Sequence, residues 1–209
     1  ALFNRSPRTS ASSGVATAPT QRDTTSLTTV DGEDVIVENF MASDGESYEI
    51  WVNAELVDGP PASNTTAVHE RQVERNAAFS RTNSNSDQCR VSSFIGDTGP
   101  GAPTTGRCKA LQDWASSNNG YFQTTIHAGS KRWLIKSPGG TPCAFWVRHG
   151  AFSARIGNTD IRDLIRDSLS KYTQNFNGVY RVRARGVAHC NGDLVQDGSV
   201  AYSWWLDNE

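Results

Sequence analysis

The chain has 209 residues, enough for one domain with a substantial core plus an appendage, or for two small domains. Its formal net charge of -2 gives no overall electrostatic reason to bind nucleic acid or an anionic membrane, so any such partner would need a local basic patch. Hydrophobic residues make up 36% of the chain without an apolar run of bilayer length, which excludes a transmembrane helix.

Residues 1–31 are rich in Ser, Thr, Ala and Pro with almost no large apolar side chains, the composition of a flexible tail that cannot offset the entropy of ordering. No positively charged leader with an apolar run opens the sequence, so a signal peptide is either absent or already removed. Residues 32–57 alternate as Asp34-Val-Ile-Val and Glu46-Ser-Tyr-Glu-Ile-Trp-Val around Ser43-Asp44-Gly45, which predicts a β-hairpin. A lone hairpin is marginal in water, so it is expected to add strands to a later sheet, dock on it, pair with another chain, or be removed as a propeptide. Residues 58–87 turn polar around Pro60-Pro61 and read as a linker, with Arg71, Arg75 and Arg81 as places a protease could cut.

Residues 88–209 carry most of the apolar periodicity and are expected to be the folding unit. A short strand at Cys89 to Phe94 leads through a Gly, Pro and Thr loop to a helix opened by Cys108, with Leu111, Trp114 and Ala115 facing inward and a left-handed cap at Asn118-Asn119-Gly120. Strands follow at Phe122 to His127 and Arg132 to Lys136, joined across Ala128-Gly129-Ser130, and Pro138-Gly139-Gly140 turns the chain into a strand at Cys143. From there the period shifts from alternation in CAFWV to helical spacing at Ile161, Leu164, Ile165, Leu169 and Tyr172. It then returns to alternation through Tyr180, Val182, Ala184 and Ala188. Asn158 and Thr159 offer a side-chain oxygen for the helix start, Asp160 and Asp163 suit its positive end, and Asp167 pairs with Lys171 at i, i+4. Asn191-Gly192 and Asp197-Gly198 mark the bends of a last hairpin ending in Val200-Ala-Tyr-Ser-Trp-Trp. Two helices among about six hairpin-connected strands predict an α+β fold, an antiparallel sheet with both helices on one face.

The run Cys143-Ala-Phe-Trp-Val, the core Ile156-Gly157-Asn158-x-Asp160-Ile161-x-Asp163-Leu164-Ile165-x-Asp167-Ser168, the segment Val182-x-Ala184-x-Gly186 before Cys190, and the terminal Val-x-x-x-Trp resemble the fungal necrosis-inducing factor domain. That domain defines the extracellular effector protein two family, and the resemblance covers roughly residues 88 to 206. It carries over no catalytic residue. It implies a small, secreted, disulfide-bonded protein associated with toxicity or plant cell death; the expectation for the whole chain is an effector that acts without catalysis, by binding a host plant or competitor cell-surface component.

Cys89, Cys108, Cys143 and Cys190 lack the close spacing of a zinc site and contain no C-x-x-C, so no metal and no cofactor is expected and two disulfides are. The expected pairing is Cys89 with Cys190 and Cys108 with Cys143, one of the three that four cysteines allow. Disulfides and the sequons at Asn4 and Asn64 both suit an extracellular glycoprotein.

The chain has no G-x-x-x-x-G-K-S/T, G-x-G-x-x-G or G-x-S-x-G motif. A hydrolase of RNA would draw on His127, His149 and His189 with Asp160 or Glu49 as partner, and a glycosidase on two of Asp160, Asp163 and Asp167. Each set also has a structural reading, as polar strand positions or as charges serving the helix dipole. The most distinctive feature is the alternation Arg181, Arg183, Arg185, which on one strand would put three guanidiniums on one face, suited to the phosphates or sulfated sugars of an anionic glycan or lipid. Arg148, His149 and Arg155 are candidates to extend that patch. Of six tryptophans, Trp114, Trp133 and Trp146 fall on expected core positions. Adjacent Trp204 and Trp205 must point to opposite sheet faces, which leaves Trp205 as a binding candidate for a carbohydrate module, or as a residue covered by the N-terminal hairpin.

Overall fold

The computed structural model describes residues 26–30, 33–54, 79–124, 131–149, 153–192 and 198–209. Their order is β1 (Ser26–Val30), β2 (Glu33–Met41), β3 (Ser47–Asn53), β4 (Phe79–Arg81), β5 (Cys89–Ser92), β6 (Ile95–Gly96), α1 (Thr105–Ser117), β7 (Gly120–Thr124), β8 (Arg132–Ser137), β9 (Cys143–His149), β10 (Ala154–Gly157), α2 (Asn158–Tyr172), β11 (Gln174–Phe176), β12 (Val179–Arg181), β13 (Ala184–Asn191) and β14 (Ser199–Asp207). The fold is α+β: a nine-stranded antiparallel sheet in the order β1-β2-β3-β8-β9-β14-β13-β5, with β6 also on β13, a three-stranded sheet β10-β7-β4 and a two-stranded hairpin β11-β12.

Alternation along the central strands sends Phe145 and Val147 of β9 and Tyr202, Trp204 and Leu206 of β14 to the inner face. There they meet Leu111 and Trp114 of α1 and Ile161, Leu164 and Ile165 of α2 in one core. Of the expected stripe on α2, Leu169 and Tyr172 pack against that core from its margin. The disulfides Cys89–Cys190 and Cys108–Cys143 tie β5 to β13 and α1 to β9.

The hairpin of residues 32–57 is built into the main sheet, because Trp51 and Val52 of β3 pair with Lys136 and Ile135 of β8. Ser26–Val30, at the end of the stretch read as a tail, forms strand β1 on β2. The end of the stretch read as a linker also belongs to the fold: Phe79–Arg81 pairs with β7, and Phe79 is buried. Asn4, Asn64, Arg71, Arg75 and His127 lie outside the described residues.

Three local expectations are corrected. Helix α1 starts at Thr105, before Cys108, and ends with Asn118 in an extended conformation (φ -118°, ψ 98°), its N–H bonded to the Trp114 carbonyl, so no left-handed residue caps it there. Strand β7 does not form a hairpin with β8. It pairs with β10 and β4 in the smaller sheet, so the chain leaves one sheet for the other between them. Helix α2 is capped by Gly157, whose N–H donates to Asp160 Oδ2 at 2.7 Å, while Asn158 turns its amide elsewhere.

Candidate functional site

The segment that carries the family resemblance is occupied with holding the fold. Asn158 is fully buried; its Oδ1 accepts from Ser86 N–H at 2.8 Å and Gly120 N–H at 3.3 Å. Its Nδ2 donates to the Ala115 carbonyl and to Asn85 Oδ1, both at 3.0 Å. One amide thus closes four backbone or side-chain groups from three separate segments, the accounting that buried polar groups require. Gly157 is needed beside it, since a Cβ there would lie 2.0 Å from the Ser86 carbonyl oxygen.

Asp160 completes this hub. Its Oδ2 accepts from Gln88 N–H at 2.8 Å as well as from Gly157, and its Oδ1 accepts from Cys89 N–H at 3.1 Å. Asp163 is held by Arg162 and Arg166, and Asp167 by Arg166 and Lys171. These carboxylates line an open cleft of about 390 Å³ with Asp87 and Arg90, yet each is committed to the local structure.

Burial raises the Asp160 carboxyl to about 7; the backbone N–H groups of Gln88, Gly157 and Cys89 oppose that shift and a hydrogen bond with Asp87 adds to it. An acid with a higher pKa in the folded than in the unfolded chain stabilises the fold fully below its unfolded value, about 4, and loses that contribution as pH rises through the folded value. Denaturant midpoints of the wild type are therefore expected to fall between pH 4 and 8, while those of Asp160→Asn stay flatter. Parallel slopes for the two proteins would assign the pH dependence to other groups.

The arginine alternation does not form a stripe. The strand breaks after Arg181, where Val182 N–H turns to the Pro103 carbonyl, and resumes only at Ala184. Arg181 donates to the Ala102 carbonyl at 2.6 Å. Arg183 binds Asp207 Oδ1 at 2.8 Å and Asn208 Oδ1 at 3.0 Å. Tyr180, expected in the buried set, is 57% exposed. Of the three arginines only Arg185 is exposed, on β13. Arg155 belongs to the smaller sheet, over the Tyr121 ring, and does not extend the patch. His149 ends β9, and His189 is exposed on the outer face of β13.

The outer face of the large sheet instead gathers tryptophans. Register places Arg185 opposite Trp205, Trp205 opposite Trp146, and Trp146 opposite Trp133, one transverse row over β13, β14, β9 and β8. Trp133 is buried in a second apolar cluster with Val35 and Ala144, and Trp51, Val37 and Trp146 pack on it. Trp133 is thus a core residue of the opposite face from Trp114, and Trp146, expected in the core, is only half-buried beside it. Trp204 is buried inward against Phe145, whereas Trp205 is half-buried outward and is not under the hairpin, which joins the sheet at β8 instead.

Cations sit among these rings. Lys131 Nζ lies 4.5 Å from the Trp146 ring centre and 5.4 Å from that of Trp205. Arg148 Cζ is 5.5 Å from the Trp205 ring, and Lys136 Nζ is 5.7 Å from Trp51. Among the described residues Lys136, Arg148 and Arg185 form no salt bridge; Lys131 Nζ donates to the main-chain oxygen of Glu209, and Asp207 on the same face is neutralised by Arg183. Burial lowers the pKa of Lys131. The arrangement can meet apolar and anionic groups at once. Arg148 and Trp205 were legible as candidates; Lys131, Lys136 and the alignment of Trp146 with Trp205 needed the register.

No helix among the described residues is long and apolar enough to cross a membrane, and no cluster of metal-ligating side chains occurs among them. No curated protein matches the chain. The family model Hce2, described as "Pathogen effector; putative necrosis-inducing factor", matches residues 88–190. This segment contains both disulfides and Asn158 and Asp160 of the hub, but not their partners Asn85 and Ser86, and it stops short of β14. Residues 88–190 are thus a domain of the Hce2 pathogen-effector family.

Proposed function

We propose that the protein is a secreted fungal effector that acts without catalysis, by holding a cell-surface component of a host plant or competitor on the outer face of its large sheet and so promoting cell death. The observation that carries this reading is the row Arg185–Trp205–Trp146 with Lys131 and Arg148 over its rings. Two disulfides persist only in an oxidising compartment, which supports secretion. The family supports an action on a host.

Purified protein infiltrated into leaf tissue is expected to cause lesions. Trp205→Ala, and separately Arg148→Gln with Arg185→Gln, should remove most of that activity at unchanged far-ultraviolet circular dichroism. Exposed arginines contribute only about 0 to 1 kcal/mol per pair to stability, so loss of activity in the arginine variant would not reflect unfolding. Full lesion activity in both variants would sink the assignment of this face.

A further inference from the structure

The outer face also specifies a class of ligand. Resting on the reading above, we propose that it binds a carboxylated polysaccharide, a polymer of uronic acids, laid across the strands along the Trp146–Trp205 row.

The shape of the platform is the first ground. Trp133, Trp146 and Trp205 stand opposite one another on three adjacent strands, so the row advances by one strand spacing, about 4.8 Å, per ring. A pyranose ring with its glycosidic oxygen is of similar length, so successive sugars of an extended polymer can follow successive strands. Trp133 is buried and supports the row from one end, leaving the half-buried rings of Trp146 and Trp205 to meet the ligand.

Charge is the second ground. Arg185 and Arg148 flank β14 on either side of Trp205, two strand spacings or about 10 Å apart across the sheet. Lys131 lies over both neighbouring indoles. A neutral glycan stacking here would displace these cations from the rings and offer them only hydroxyl acceptors, with no counter-charge. A uronic acid polymer presents C–H faces to the indoles and carboxylates to the displaced ammonium and guanidinium groups, so both interactions survive. Planar carboxylates also match the fork of an arginine.

An anionic bilayer is disfavoured by the same geometry. Trp146 and Trp205 are held side by side in a sheet with half their surface covered, and do not project as a wedge that could enter the headgroup layer. The overall formal charge of -2 adds no long-range attraction to an anionic surface, so binding must rest on this local patch.

The full chain should be titrated calorimetrically with polygalacturonate, with its fully methyl-esterified form, with a neutral β-glucan oligosaccharide and with phosphatidylserine vesicles. Binding is expected for polygalacturonate alone, weakening at least tenfold as salt rises from 0.1 to 1 M, where the Debye length falls from about 10 to about 3 Å. Trp205→Ala should weaken it about tenfold. Arg148→Gln with Arg185→Gln should weaken it similarly and flatten the salt dependence, and because both side chains are exposed this variant is expected to fold. Equal binding of the methyl-esterified polymer or the neutral glucan would overturn the claim that charge is read; vesicle binding without polymer binding would overturn the ligand class; no binding to any probe would overturn the proposal outright. Variants that lose lesion activity while the wild type ignores polygalacturonate would leave the effector reading intact with another ligand, whereas variants that keep lesion activity would remove that reading too.

Discussion

Reduction of both disulfides is expected to leave the chain unfolded or nearly so at ambient temperature. The bridges span 101 residues (Cys89–Cys190) and 35 residues (Cys108–Cys143). Closing loops of that size removes about 5 and about 4 kcal/mol of chain entropy from the unfolded state. Whole domains are stable by only about 5 to 15 kcal/mol, so the two together rival the total. The consequences should differ in place. Strand β5 is held to β13 by only two register pairs with a shift between them, so loss of Cys89–Cys190 should free that edge first. Loss of Cys108–Cys143 should loosen α1 against β9, in the middle of the core, and cost more cooperativity. Circular dichroism in the near ultraviolet and urea midpoints of the two Cys→Ser pairs test this, and a reduced protein with an unchanged midpoint would refute it.

Trp114→Ala is expected to be the most damaging single substitution outside the cysteines. The ring is fully buried, 5.2 Å from Phe79 and 6.5 Å from Phe122 between ring centres. Truncating a buried tryptophan costs about 3 to 5 kcal/mol in lost transfer energy and cavity. The indole N–H also donates to Glu38 Oε2 at 2.7 Å, and the other oxygen of that nearly buried carboxylate meets Arg81 at 2.8 Å. Glu38 sits on β2, so this one side chain joins the N-terminal hairpin and β4 to α1. Trp114→Phe keeps most of the ring and removes the donor; it should cost about 1 to 3 kcal/mol, the value of leaving a buried acceptor short of a partner. Hydrogen exchange should then quicken in β2 and β3 ahead of β9 and β14. A Trp114→Ala midpoint close to wild type would mean the cavity refills by collapse, and that the hairpin is anchored elsewhere.

The motif Gly157-Asn158-x-Asp160 shows how far local reading reaches. Its place at the start of a helix follows from the sequence, and Asp160 does serve the helix end. What Asn158 does could not be read, because its four partners come from residues 85, 86, 115 and 120, none within a helical turn of it. Gly186 is similar: a Cβ there would stand 1.8 Å from the Ser93 carbonyl oxygen, a contact set by the segment between β5 and β6, 93 positions away.

By itself the sequence determined the α+β class, the oxidised cysteines, helix α2, and the hairpins β2-β3, β8-β9 and β13-β14, all of which rest on periodicity, turn chemistry or composition within a few residues. Only the tertiary structure decided that β7 joins a different sheet from β8, that Arg181 and Arg183 are bound into the fold at Ala102 and Asp207, and that Trp133, Trp146 and Trp205 line up across neighbouring strands. The reason is that alternation assigns a residue to one of two faces but carries no information about which strand lies beside it. The central strands here are apolar on both faces, Trp146 outward and Phe145 inward, so pattern alone could not separate a core tryptophan from a surface one. Neighbour and register are set by pairing across the whole chain, and the proposed binding face exists only as a product of that pairing.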